Sequence, residues 1–232
     1  WESTFLDYYV IPDELLEHEM QKKGIAKKKL LPFGIPIREQ FVKKNDPIEA
    51  RKKLGIENIP TILIMMGSMG YGNIKKILAQ IDTYPKDFQV LCVCGTNKKI
   101  KSVVDECEWN KKIYSYGFVD NVDVMMDAAD FIITKPGGLT VTESLACSLP
   151  MAIYSAFPGQ ERDNAEFLLN KGAAIMLRKK TGADDIVNLV KDKEKLDEMK
   201  EKCRELHRPD SAEKIFRLAQ KLCNNSKGGN DK

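Results

Sequence analysis

From residue 61 to residue 177, short apolar runs alternate with longer stretches in which apolar positions recur every three or four residues. The run Thr61-Ile62-Leu63-Ile64-Met65-Met66 has no polar interruption after Thr61, as befits a strand covered on both faces. Further strands are predicted over 89–94, 112–116, 131–134, 151–154 and 173–177, with helices between them. Six strands in strict alternation with helices predict an α/β fold built on a doubly wound, Rossmann-like parallel sheet.

The flanking regions follow other patterns. Residues 5–11 read as a strand, Pro12-Asp13 opens a helix, Gly24 closes it, and a short strand is expected over 29–31. The stretch Phe33-Gly34-Ile35-Pro36-Ile37-Arg38 is a linker by its Gly and Pro content. After Ala183 the chain reads as charged helix to Cys223, with a frayed tail over 224–232. Three segments result: 1–38, a βα unit plus linker; 39–208, the main domain; and 209–232, a C-terminal helix and tail. The first residue is Trp1 and a strand pattern follows closely, so the chain is expected to begin inside a larger protein.

Composition narrows the function classes. The formal net charge of +3 does not call for nucleic acid. Lysines do cluster, at Lys22, Lys23, Lys27, Lys28 and Lys29 and again at Lys43, Lys44, Lys52 and Lys53. A solvated helix face and contact with an anionic membrane surface both suit them. No apolar run is long enough to cross a bilayer, which makes any membrane contact peripheral. The six cysteines have no zinc-like spacing and read as thiols of a reducing compartment.

In a doubly wound sheet the ligand sits beyond the carboxyl ends of the strands. Three loops fall there: 67–72, 135–140 and 157–161. The first, Gly67-Ser68-Met69-Gly70-Tyr71-Gly72, matches neither the dinucleotide fingerprint nor the Walker phosphate loop. In the second, Gly137 and Gly138 open an approach to backbone amides, and Thr140 and Thr142 add hydroxyls near the first helical turn. Glu143 lies three residues after Thr140. That spacing suits a carboxylate accepting from a ribose diol and equally a capping box of Thr140 with Glu143. At the third loop, Gln160 and Glu161 open a helix and Asn164 follows one turn later, a set suited to sugar hydroxyls or to a solvated helix start. The two histidines, His18 and His207, fall away from these loops. No Asp-x-Asp pair is present to hold a divalent metal against a diphosphate.

These motifs together resemble the family 28 glycosyltransferases of the two-domain GT-B fold, and among them the diacylglycerol glycosyltransferases, which include glucosyl- and galactosyltransferases. The resemblance runs from about Tyr8 to Leu177. It is carried by Gly34-Ile35-Pro36-Ile37-Arg38, by Thr134-Lys135-Pro136-Gly137-Gly138-Leu139-Thr140-Val141-Thr142-Glu143 and by Pro158-Gly159-Gln160-Glu161-Arg162-Asp163-Asn164-Ala165. A sister branch, the N-acetylglucosaminyltransferase acting on the peptidoglycan lipid precursor, shares Leu-Thr-Val and the Glu. It usually lacks the Lys-Pro-Gly-Gly and Pro-Gly-Gln-Glu sequences.

The resemblance implies transfer of a hexose, with inversion, from UDP-glucose or UDP-galactose to diacylglycerol at the cytoplasmic face of a membrane, without metal or other cofactor. It places Glu143 on the ribose, and Gly137, Gly138, Leu139 and Thr140, with Ser68 from the first loop, on the diphosphate, and counts Lys135 and Gly70 among the donor-binding residues. Val119, beside Phe118, meets uracil through its backbone; Gln160, Glu161 and Asn164 face the sugar, and Arg38 lies near the nucleotide. It also implies that residues 1–31 are the last βα unit of an N-terminal acceptor domain, which holds the catalytic residues upstream of Trp1. A non-catalytic nucleotide-binding module that needs a partner chain is the rival from another class.

Overall fold

The computed structural model describes residues 3–67, 74–85, 87–178 and 181–227. Its contacts divide the chain into two compact units, 39–207 and 1–38 with 208–232.

The larger unit is built on a six-stranded sheet of β3 (Thr61–Met65), β4 (Gln89–Val93), β5 (Lys112–Tyr116), β6 (Phe131–Thr134), β7 (Met151–Ile153) and β8 (Ala174–Met176). All strands run parallel, in the spatial order β5-β4-β3-β6-β7-β8. Leu63 at the centre pairs with Leu91 on one side and Ile132 on the other, and all three are fully buried. This is why the β3 sequence shows no polar alternation: helices cover both faces of the sheet.

Around the sheet lie α2 (Pro47–Leu54), α3 (Ile74–Asp82), α4 (Lys98–Asp105), α5 (Val122–Ala128), α6 (Gly138–Ala146), α7 (Gln160–Asn170), α8 (Gly182–Lys191) and α9 (Lys193–Leu206). Helix α2 packs on α5, α3 on α4 and α8, and α6 on α7 and α9. The start of α2 shows how sequence sets a boundary. Asp46 accepts from the Ile48 and Glu49 amides, Pro47 supplies a pre-set φ, and Gly55 closes the helix at φ +67°.

At the amino end of the sheet, Arg51 donates to the Ala128 carbonyl at 2.9 Å, to Asn58 at 2.8 Å and to Asp130 at 3.0 Å. Asp130 also accepts from the Thr61 amide at 2.7 Å. The guanidinium thus joins α2 to the first residue of β3 and the residue preceding β6.

In the smaller unit β1 (Tyr9–Val10) and β2 (Leu30–Leu31) pair in parallel around α1 (Leu16–Lys22), over a small core of Ile11, Ile25 and Leu30. The strand expected over 5–11 shortens to two paired residues because its partner is only two residues long. Helix α10 (Ser211–Lys227) belongs to this unit. Arg208 reaches Asp13 at 2.7 Å, and Gly34, at φ +90°, leaves only 3.0 Å between its missing Cβ and the Arg208 side chain. The last third is helical as expected, in three helices separated at Asp192 and at 207–210 around Pro209. One expectation is corrected: residues 224–227 continue α10 instead of fraying.

Candidate functional site

The sheet order reverses direction between β3 and β6, and a crevice forms at such a point beyond the strand ends. There the Thr134 hydroxyl donates to the Met65 carbonyl at 2.6 Å, tying the last residues of the two strands together. Thr134 opens the second motif of the family resemblance, but its own signal is only that of a polar residue closing an apolar strand. Ser68 and Gly70, expected in the loop after β3, lie outside the described residues.

After β6 the backbone passes through Lys135 and Pro136 and starts α6 at Gly138, with Gly137 as the N-cap. No side chain caps this helix. The first amide with an intrahelical partner is Val141, bonded to the Gly137 carbonyl at 2.9 Å. The amides of Gly138, Leu139 and Thr140 precede it and point out of the helix start, where the peptide dipoles also concentrate positive potential. Asp46, Asn97 and Asp192 cap α2, α4 and α9 with their side chains, whereas α1, α5, α7 and α8 start without a side-chain cap as α6 does. A Cβ on Gly137 would meet nothing within 4 Å, and its φ of −68° is open to any residue. Neither packing nor backbone conformation therefore requires glycine at 137.

This helix start excludes the capping-box reading of Thr140 and Glu143. A capping box needs Thr140 at the N-cap, and it is instead the third helical residue. Glu143 stands one turn further on the same helix, half-buried. Thr142, expected to offer a hydroxyl, donates it to the Gly138 carbonyl at 2.9 Å. That bond stays within the helix.

The third loop runs from β7 into α7, whose N-cap is Gly159 at φ +95°, ψ −141°, a conformation that glycine alone adopts without strain. Here the structure ties the expected site residues to one another. Lys135 Nζ stands 3.6 Å from Glu161 Oε1 and 4.9 Å from the centroid of the Phe157 ring. Glu161 Oε2 accepts from the Phe157 amide at 3.0 Å, and Asn164 Nδ2 donates to the Pro136 carbonyl at 2.9 Å. Gln160, first residue of α7, is exposed. Phe157, which sequence reading treated only as the start of a loop, supplies both a ring and an amide to this cluster.

The remaining expected residues are more dispersed. Phe118 and Val119 follow β5, two strands away from β3, with Phe118 exposed and Val119 half-buried. Leu139 projects from the first turn of α6 at 62% exposure. Arg38 is exposed and belongs to the smaller unit.

Other chemistry-bearing groups are engaged elsewhere. All six cysteines are free, with Cys92, Cys94 and Cys203 buried; burial pushes the Cys203 thiol up to about 12 and the Cys147 thiol higher still. The lysine clusters are partly paired, Lys23 with Glu19, Lys27 with Glu17 and Lys43 with Glu39. Among the described residues no helix is long and apolar enough to cross a membrane, and no three His, Cys, Asp or Glu side chains are grouped to hold a metal ion.

A parallel sheet in this order, with helices on both faces, defines a doubly wound α/β domain. Residues 61–220 match the glycosyltransferase family 28 C-terminal domain, and the chain belongs to that family. It is 33% identical over 221 residues to the processive diacylglycerol beta-glucosyltransferase of Bacillus licheniformis, covering 93% of this chain and 57% of that protein. The enzyme of the same name from Bacillus pumilus is 32% identical over 220 residues, with the same coverage of both chains. The chain therefore spans little more than half the length of these relatives. In fold it resembles S. aureus MnaA, solved with UDP, at a TM-score of 0.70 and 16% identity, over 94% of this chain and 61% of that one.

Proposed function

We propose that this chain is the donor-binding part of an inverting glycosyltransferase that moves a hexose from a UDP-sugar to diacylglycerol. The observation that carries the reading is the uncapped start of α6 at the switch point of a family 28 domain, with Glu143 one turn along the same helix. The Gly138, Leu139 and Thr140 amides meet the diphosphate, and Gly137 leaves room for its approach. As the bond to the sugar breaks, negative charge gathers on the departing UDP, and these fixed dipoles stabilise it without a metal ion. Glu143 accepts from the ribose hydroxyls. Val119 meets the base through its backbone, and Gln160 and Glu161 face the hexose.

The relatives' names favour diacylglycerol as acceptor and glucose as the sugar. Activation of the acceptor falls to residues outside this chain. The lysine-rich surface draws the enzyme to anionic lipid at the cytoplasmic face of the membrane.

The test is transfer of radiolabelled sugar from UDP-glucose and from UDP-galactose to diacylglycerol by the natural full-length protein. Labelled glycolipid is expected. Transfer only to a peptidoglycan lipid precursor would overturn the acceptor, and failure of the protein to bind UDP in a calorimetric titration would overturn the donor site.

A further inference from the structure

We propose that Lys135 is a positioning residue for the donor sugar, holding the Glu161 carboxylate in place for the hexose hydroxyls instead of gripping the diphosphate. The proposal rests on the donor-site reading above and names what orients the sugar within it.

Lys135 follows the end of β6 and Glu161 is the second residue of α7, so their 3.6 Å contact bridges two separate strand-end loops. The lysine side chain is only 14% exposed and its ammonium also lies 4.9 Å from the Phe157 ring centroid. A cation enclosed between a carboxylate and an aromatic face is largely neutralised where it stands. Glu161, at 25% exposure, remains open to solvent.

Its two oxygens are held from different sides, Oε1 by Lys135 and Oε2 by the Phe157 amide at 3.0 Å. A carboxylate has about four lone-pair sites, so each oxygen can still accept a hydroxyl. A carboxylate with fixed orientation and free acceptor capacity fits a pair of neighbouring hydroxyls on a sugar ring. The lysine has a second effect. An anionic side chain near a diphosphate would repel it, and a paired cation offsets that repulsion. The Asn164 bond to the Pro136 carbonyl, at 2.9 Å, holds the same two loops in register.

The sugar and the diphosphate can be separated by titrating UDP and UDP-glucose into the protein and its variants, with thermal unfolding followed in parallel. In Lys135→Met, UDP affinity is expected to stay within about twofold while UDP-glucose binding weakens ~10-fold, the size of one lost charge-assisted hydrogen bond. Lys135→Arg, which keeps the ion pair, should recover most of the loss. Glu161→Gln should show the same selective loss; it leaves the Lys135 ammonium without its carboxylate, so its fold is checked on the same unfolding curves, and a folded Glu161→Gln keeps the comparison if Lys135→Met does not fold. The double variant should bind UDP-glucose no worse than either single one, because the two residues act as a unit. Equal weakening of UDP and UDP-glucose in Lys135→Met would place the lysine on the diphosphate and overturn the proposal. Unchanged UDP-glucose binding in Glu161→Gln would also overturn it. A wild-type protein that binds UDP but not UDP-glucose more tightly sinks this proposal alone, whereas one that binds neither sinks the donor site with it.

Discussion

Asn164 donates a 2.9 Å hydrogen bond from α7 to the carbonyl of Pro136, two residues before the first residue of α6. The bond fixes the loop from which the α6 amides project. Asn164→Ala is expected to cost about 1 kcal/mol of stability, the usual net value of one such bond. UDP binding should weaken as well, since the helix start loses its support. Chemical denaturation and calorimetry on the same variant test both; unchanged UDP affinity would confine Asn164 to a structural role.

Glu143 sits inside α6 and not in a capping box, so its removal should spare the helix. Glu143→Ala is expected to weaken UDP binding by roughly 1–3 kcal/mol with little change in melting temperature, as for loss of hydrogen bonds to a charged acceptor. A lower melting temperature with unchanged UDP affinity would contradict the ribose role.

Arg51 acts at the opposite edge of the sheet. Arg51→Ala removes three hydrogen bonds and leaves Asp130 without its cation, and breaking such a largely buried pair costs about 3–5 kcal/mol. Urea denaturation should show this loss. UDP affinity of the folded fraction should match wild type, because Arg51 and the α6 start lie at opposite ends of the strands.

Asp82 provides a pH signature. Burial raises its pKa, but bonds from the Lys111 amide at 2.8 Å and from the Asn110 amide and side chain at 3.1 and 2.9 Å outweigh burial. The carboxyl therefore lies below its ordinary value of 3.8 in the folded protein. The unfolded chain binds the proton more readily, so this contribution is complete well above pH 3.8 and is lost as pH falls through the lower folded value. Asp82→Asn should be less stable than wild type at neutral pH by about 1.5–3 kcal/mol, and the gap should narrow in acid. Denaturation curves at pH 7 and pH 3 give the comparison.

Ser148 closes α6 at φ +54°, in the left-handed region that favours glycine. Ser148→Gly is expected to stabilise the protein by about 0.5–1 kcal/mol through relief of that strain, less the exposed bond from Lys44. A lower melting temperature would mean that the Lys44 contact outweighs the backbone.

The strand pattern was legible because burial on both faces of a parallel sheet leaves uninterrupted apolar runs, and 61–66, 89–94 and 131–134 fall on β3, β4 and β6 nearly to the residue. The short β1 could not be read in the same way, since its length depends on a two-residue partner twenty positions away. Glycines and strand ends also pointed to the α6 and α7 loops as the candidate ligand edge. Periodicity alone, however, left Thr140 and Glu143 equally suited to a capping box and a ligand site. Only the folded backbone, by starting α6 at Gly138, excluded the capping box. The tertiary structure likewise brought Lys135 to Glu161 and Phe157, and Thr134 to Met65. These partners stand up to 69 residues apart, and their meeting depends on which strands lie side by side, which a local pattern of polar and apolar residues does not encode.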